Sequence, residues 1–214
     1  MGAKTWMLLQ SAGDLRSQLR GSPALDPGAT VKLLSTLFPK HKLEQAGGGD
    51  LSFTNPPEDE VLAGCFHGFS VVAATDFAID YPSRLSAQLL AHAQQGTAYL
   101  HAMHSVVDWF AYAIWKDGRL QRSLSLSPDG GVLEDIGAKL PFEQPYWNGE
   151  HPALDPEEDP SNYPFPFHPL ELGEAALRQF FGYQLEGYVD PDLLQPEKVP
   201  LLRFKRSKNR WKFW

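Results

Sequence analysis

The stretch from residue 108 to residue 127 carries the signal that most constrains the fold. Asp117-Gly118 separates two runs rich in aromatic, aliphatic and hydroxyl side chains. An Asp-Gly pair in this setting is typical of a two-residue type I′ turn, because both central residues need a positive φ. The sequence therefore predicts an antiparallel hairpin with strands 108–116 and 119–127, and so a β-sheet.

The register of this hairpin determines on which face of the sheet Arg122 lies. A two-residue loop pairs Lys116 with Arg119, and counting back from there sets Arg122 against Ala113 on an apolar face, between tryptophans. Three interpretations are open. Arg122 reaches water near a sheet edge, it anchors a carboxylate or phosphate, or it belongs to a structural ion pair.

The rest of the chain mixes strand and helix signals without regular alternation. Lys4–Gln10 is an apolar run typical of a central strand, and Asp26-Pro27 and Pro169 are helix starts. Residues 46–59 have the composition of a loop. Further strands are predicted at 61–66, 70–75, 97–105, 132–136 and 199–204, and a third helix after Tyr81-Pro82-Ser83 with Gly96 as its stop.

These patterns predict the α+β class. We expect a single domain over residues 1–206, with a mixed or mostly antiparallel sheet packed by about three to four helices. Residues 207–214 form a separate basic and aromatic tail. It could pack on the body, dock on an anionic membrane or an acidic protein, or stack on nucleic acid.

Charge and composition narrow the partners. Residues 203–214 hold six basic and no acidic residues, which leaves 13 basic against 26 acidic residues in the body. An acidic body makes nucleic acid an unfavourable partner. No apolar run is long enough to cross a bilayer, and the N-terminus is not that of a signal peptide. The lone cysteine, Cys65, lies in an apolar run and predicts an inert core thiol and a cytoplasmic protein.

A metal site is one hypothesis for His101, His104 and Asp108. On a helix their spacing would place all three side chains on one face. On a strand the two histidines point to opposite faces, and residues 97–105 favour a strand. The metal hypothesis then requires a bulge at His104, so no metal site is predicted.

Other candidate binding residues lie in the Pro-rich, aromatic segment 141–169, since loops often carry binding residues. His168 precedes a predicted helix and could instead close its cap. The candidates in this segment are Trp147, Glu150, His151 and His168.

Several motifs together resemble an uncharacterised bacterial family that is described only as a domain of unknown function. The resemblance runs over nearly the whole chain to about Phe204 and implies one coherent domain, but no activity, ligand or catalytic residue. The motifs are GAKTWMLL, YLHAMHSVVDWFAYAIW, RSLSLSPDGGVLEDIG, LPFEQPYWNGEHPA and YPFPFHPLELGEAALR.

The leading functional hypothesis is a non-catalytic cytoplasmic domain that binds a small molecule or a protein partner. Its predicted site lies among His101, His104, Asp108, Arg122 and the loop 146–151. One alternative is a hydrolase with a His/Asp/Glu site and a divalent metal. Another is an immunity-type protein whose acidic body neutralises a basic partner. No particular cofactor or oligomeric state is indicated.

Overall fold

A computed structural model describes residues 2–91, 94–154, 157, 163–187 and 190–208. In this part of the chain nine strands form one antiparallel sheet, in the order β2-β9-β3-β4-β1-β5-β6-β7-β8. The strands are β1 (Lys4–Ser11), β2 (His41–Asp50), β3 (Glu60–Phe66), β4 (Phe69–Ala73), β5 (Thr97–His104), β6 (Trp109–Lys116), β7 (Arg119–Ser127), β8 (Gly131–Ile136) and β9 (Pro200–Lys208).

The described helices cover both faces of the sheet, so the α+β class is confirmed, in a protein that is mostly sheet. The α-helices are α1 (Leu15–Arg20), α2 (Pro27–Leu37), α3 (Ala87–Leu90), α4 (Gln144–Trp147) and α5 (Pro169–Phe181). The predicted starts of α2 and α5 are confirmed. Asp26 accepts a hydrogen bond from the N–H of Ala29, and Gly182 ends α5 at a φ of 81°.

The predicted third helix is wrong in extent. Residues Pro82–Arg84 form a single 3-10 turn, and the α-helix begins only at Ala87, capped by Ser86. This α-helix is four residues long and ends at Leu90. The prolyl residue fixes φ for the turn but does not continue into a helix, because Leu85 and Ser86 adopt extended backbone angles.

The hairpin prediction is confirmed at its tip. Asp117 and Gly118 have φ values of 48° and 73°, as a type I′ turn requires. Lys116 pairs with Arg119, as expected. The register then shifts between Ile114 and Trp115, because β7 has an extra residue there.

This bulge makes the expected position of Arg122 wrong. Arg122 pairs with Ile114 rather than with Ala113, so its side chain lies on the opposite face of the sheet. A shift of one residue exchanges every side chain between faces. Arg122 therefore shares its face with Phe110 and Tyr112 instead of with the tryptophans.

The sheet has a buried layer on each face. The face covered by α1 and α5, here called the α5 face, carries large side chains: Met7, Leu9, Phe110, Tyr112 and Leu124. The face covered by α2 carries many alanines, whose small side chains let the covering segments approach closely. Those alanines are Ala63, Ala98, Ala102, Ala111 and Ala113.

The expected loop at 46–59 is wrong in its first part, because residues 46–50 belong to the edge strand β2. Backbone pairing with β9 overrides the glycine-rich composition there, with a register irregularity between Gln45 and Gly47. Residues 54–57 do lie largely outside strands, with Thr54 making an isolated bridge to Thr5.

The first two residues of the predicted tail belong to a strand of the sheet. Ser207 and Lys208 close β9 opposite β2. Acidic side chains of the body neutralise its cations: Arg203 pairs with Glu60, Lys205 with Asp59 and Glu60, and Arg206 with Asp76. The remaining predicted tail, 209–214, lies outside the described residues.

Candidate functional site

His101 is a buried structural histidine on β5. Its Nε2 lies 3.0 Å from the carbonyl oxygen of Gly173, which can only accept, so Nε2 carries the proton. Its Nδ1 then accepts from the Thr5 hydroxyl at 2.7 Å. Burial lowers the pKa of His101 to about 4, against the opposing effect of the Gly173 carbonyl. Both ring nitrogens are used, so His101 cannot bind a ligand as it stands.

The hypothetical metal set does not converge. His104 lies on the α2 face, where its ring stacks on Trp6 with centroids 6.0 Å apart, while His101 lies on the α5 face. Asp108 lies in the β5–β6 turn at a φ of 48°. Among the described residues no group of three or more histidine, cysteine, aspartate or glutamate side chains is arranged to hold a metal ion.

Asp108 pairs instead with His168. Nε2 of His168 lies 3.6 Å from Oδ2 of Asp108, and its Nδ1 accepts from the N–H of Leu170 at 3.3 Å as the N-cap of α5. The prediction that His168 could close the cap is confirmed. The cap therefore occupies Nδ1 of His168, while Nε2 faces Asp108 at a distance longer than a hydrogen bond.

Arg122 belongs to a buried ion-pair network and is 1% exposed. Its Nη2 lies 2.7 Å from Oε2 of Glu143 and its Nε lies 2.9 Å from Oε1, a bidentate arrangement. Nη1 also pairs with Asp135 on the neighbouring strand. Oε1 of Glu143 accepts further hydrogen bonds from the Tyr112 hydroxyl and the N–H of Leu140.

The pKa shifts describe a charged network. Burial alone would raise the pKa of Glu143, but the hydrogen bonds from Arg122, Leu140 and Tyr112 together with the charge of Arg122 outweigh it, and the pKa is lowered. Burial likewise opposes the charged form of Arg122, yet Glu143 and Asp135 raise its pKa. Of the three interpretations of Arg122, the structure shows the structural ion pair. Glu143, which sequence reasoning missed, ties the segment before α4 to the sheet.

A cleft of about 520 Å³ runs along α5 and is lined by two of the candidates, His151 and His168. We call it the α5 cleft. Its walls come from the exposed flank of α5, from the segment after α4, and from the turn that follows α5. The lining residues are Tyr146, His151, His168, Leu170, Glu171, Glu174, Ala175, Arg178, Gln184, Glu186 and Gly187.

Glu174 is the exceptional residue of the α5 cleft. It is only 9% exposed, and its Oε2 accepts from the N–H of Leu185 at 2.8 Å. Its Oε1 is buried without a hydrogen-bond partner among the described residues, as is Oε1 of Gln184. Burial raises the pKa of Glu174 to about 7, against the backbone N–H groups of Leu185 and Glu186.

The predicted loop candidates divide between this cleft and its surroundings. His151 lies in the cleft and stacks on Tyr146 with ring centroids 4.2 Å apart. Trp147 lies beside the ion-pair network instead, with its Nε1 at 3.4 Å from Oε2 of Glu143. Glu150 is exposed and does not line the cleft.

The structure thus brings His151 and His168 to one cleft and leaves His101, His104, Arg122 and Glu150 outside it. Sequence reasoning did not include Glu174 among the candidate residues. The available signal was its spacing: Glu174 precedes Leu177 by three residues and Phe181 by seven, which places it at the edge of the apolar side of α5.

Cys65 is buried, and burial raises the pKa of its thiol, as expected of an inert core cysteine. No helix in the described residues is long and apolar enough to cross a membrane.

Comparison with known proteins gives one finding. A model of a family of unknown function (DUF6928) matches residues 5–204, which is nearly the whole described sheet with its helices. No curated protein and no solved structure matches the chain.

Proposed function

We propose that this chain, which belongs to the DUF6928 family of unknown function, is a binding domain. It holds a small polar ligand in the α5 cleft. The observation that carries the proposal is that Glu174 lines an open cleft while its Oε1 is buried and has no partner in the described residues. A buried polar atom without a partner costs free energy, which a ligand that supplies a partner recovers.

The walls of the cleft suit a ligand of modest size. A volume of about 520 Å³ is within the usual range of small-molecule sites. The stacked rings of Tyr146 and His151 offer a flat surface, while Glu174 and Gln184 offer polar atoms. This combination of an aromatic wall with few polar groups is typical of pockets that orient a small molecule.

A cytoplasmic location and a single folded domain over residues 1–206 are parts of the same proposal. The lone, buried thiol of Cys65 supports a reducing compartment. The continuous sheet, in which β9 pairs with both β2 and β3, supports one domain. A protein partner in place of a small molecule is the other form of the binding hypothesis, and the experiment below separates the two.

The test fills the cleft with a side chain. Ala175 lines the cleft, so Ala175→Trp should block it, whereas Gln179→Trp adds the same side chain to an exposed position of α5 that does not line it. A mixed library of small polar fragments is screened by ligand-observed NMR against both variants and the wild type.

Fragments that bind the wild type and Gln179→Trp but not Ala175→Trp support the proposal. Fragments that bind all three proteins equally, or a library without any ligand for the wild type, would sink the small-molecule form of it.

A further inference from the structure

We infer that the ligand presents a protonated amino group to Oε1 of Glu174 and Oε1 of Gln184. This inference rests on the proposed ligand site and specifies its chemical class. It is carried by three features of the α5 cleft: two unsatisfied acceptors, an excess of acidic groups, and a carboxyl group whose proton a cation can replace.

The unsatisfied atoms in the cleft are both oxygens. Oε1 of Glu174 and Oε1 of Gln184 are buried without a hydrogen-bond partner among the described residues. An amide oxygen and an ionised carboxylate oxygen only accept hydrogen bonds, so the partner that serves Gln184 and the ionised form of Glu174 must donate. An ammonium group has three donors and no acceptor, so its hydrogen-bonding groups match two unsatisfied acceptors. A carboxylate or phosphate ligand would instead bring further acceptors.

The charges that line the cleft favour an ammonium group over a neutral hydrogen-bond donor. Glu171, Glu174 and Glu186 line the cleft, and Arg178 is the basic side chain among its lining residues. Asp190 lies 3.6 Å from Arg178 and offsets its charge. A cleft with acidic walls attracts cations and repels anions.

Glu174 couples binding of the ligand to release of a proton. In the free protein, burial raises its pKa to about 7, so near neutral pH much of the protein carries a proton on this carboxyl group. A cation in contact with Oε1 favours the ionised form and would displace that proton. We therefore expect binding to release a proton, and affinity to rise with pH up to about 7.

Other titratable groups surround Glu174 on every side. On the sheet, His101 is bonded to the adjacent carbonyl of Gly173 and is neutral above a pH of about 4. Tyr183 lies behind it with its hydroxyl directed at Met7, and burial raises its pKa. The groups lining the cleft are Tyr146, His151, His168, Glu171, Arg178 and Glu186. Glu174 is the group among them that is both buried and unsatisfied.

The test compares three probes of one shape: 2-phenylethylamine, 2-phenylethanol and phenylacetate. Their affinities are measured by calorimetry at pH 6.5 and pH 8 in buffers of different ionisation enthalpy, and their location by chemical shifts of the His151 and His168 rings. The variant is Glu174→Gln, which keeps the side-chain shape and an acceptor for Leu185. The control is Glu58→Gln, which removes a charge from an exposed position away from the cleft.

We expect the amine to bind the wild type and Glu58→Gln about tenfold or more tightly than the alcohol, since hydrogen bonds to charged groups are the stronger ones. Phenylacetate should not bind. Amine binding should release a fraction of a proton at pH 6.5, and Glu174→Gln should abolish both the release and the preference.

If the alcohol or phenylacetate occupies the cleft as tightly as the amine, the amine class is wrong and the ligand site stands. If no probe perturbs the two histidine rings, both the amine class and the ligand site are wrong. Amine binding that survives Glu174→Gln unchanged would refute the role of Glu174.

Discussion

Glu143 and Glu174 are both buried carboxyl groups on the α5 face, yet their surroundings differ completely. Glu143 is fully buried and has partners for both oxygens, including a bidentate Arg122. Glu174 is almost as buried and has one backbone partner on one oxygen. Burial of a charge therefore does not by itself indicate a ligand site. The proposed ligand site rests instead on an unsatisfied oxygen in a residue that lines an open cleft.

The two carboxyl groups also respond differently to the same physical effect. Burial acts to raise the pKa of each. In Glu143 the hydrogen bonds from Arg122, Leu140 and Tyr112 and the charge of Arg122 together reverse the shift, whereas in Glu174 the backbone N–H groups of Leu185 and Glu186 do not. Glu143 is thus a permanently charged part of the fold. Glu174 is a group whose protonation changes near neutral pH.

The largest expected effect comes from removing Glu143. Glu143→Ala leaves the Arg122 guanidinium buried with only Asp135 as a charged partner, so we expect a loss of about 3–5 kcal/mol in the free energy of unfolding. Chemical denaturation at pH 7 measures it. Glu150→Ala, an exposed glutamate of the same segment, should cost less than about 0.5 kcal/mol. Equal effects of the two variants would show that the network does not hold this segment.

At high pH Glu174→Gln should stabilise the protein, whereas Glu143→Ala destabilises it. In the folded protein the pKa of Glu174 is about 7, above its usual 4.5, so its contribution to stability is present below pH 4.5 and is lost as pH rises through 7. The free energy of unfolding of Glu174→Gln relative to wild type should therefore rise by roughly 3 kcal/mol between pH 4.5 and pH 8. Exposed Glu171→Gln should show no such trend. A flat difference for Glu174→Gln would mean that its carboxyl is not desolvated.

His101 should have the opposite effect on the pH dependence of stability, at acid pH. Its folded pKa of about 4 lies below its usual 6.5, so the unfolded chain binds the proton first and stability is lost as pH falls from 6.5 to 4. The comparison is between Glu174→Gln, which removes the opposing trend, and the double variant that also carries His101→Gln. As pH falls from 6.5 to 4, the free energy of unfolding of the single variant should drop by roughly 3 kcal/mol relative to that of the double variant. Parallel pH profiles of the two proteins would contradict a buried neutral His101.

The smallest effect concerns the cap of α5. His168→Ala removes the acceptor for the N–H of Leu170 and should cost about 1 kcal/mol. His168→Ser restores a capping oxygen and should recover most of that loss in thermal unfolding. If serine fails to recover it, the contribution of His168 comes from its contacts with Asp108 and Tyr163 rather than from the cap.

Much of the fold was predictable because its signals are local. The Asp117-Gly118 turn, the helix start at Asp26-Pro27 and the helix stop at Gly182 each follow from the backbone angles that those residues favour. The candidate site was predicted less well. His151 and His168 line the α5 cleft, but Glu174 was missed, since one helical glutamate looks like any other in a sequence.

The sequence by itself determined where the chain turns, where the main helices begin, and that strands and helices mix, because these depend on residues close along the chain. The tertiary structure alone decided which side chains meet. One extra residue in β7 moved Arg122 to the other face and gave it Glu143. Packing of α5 on β5 at Gly173 buried Glu174 beside a cleft. Such outcomes depend on register and on contacts between distant segments, which local preferences do not encode.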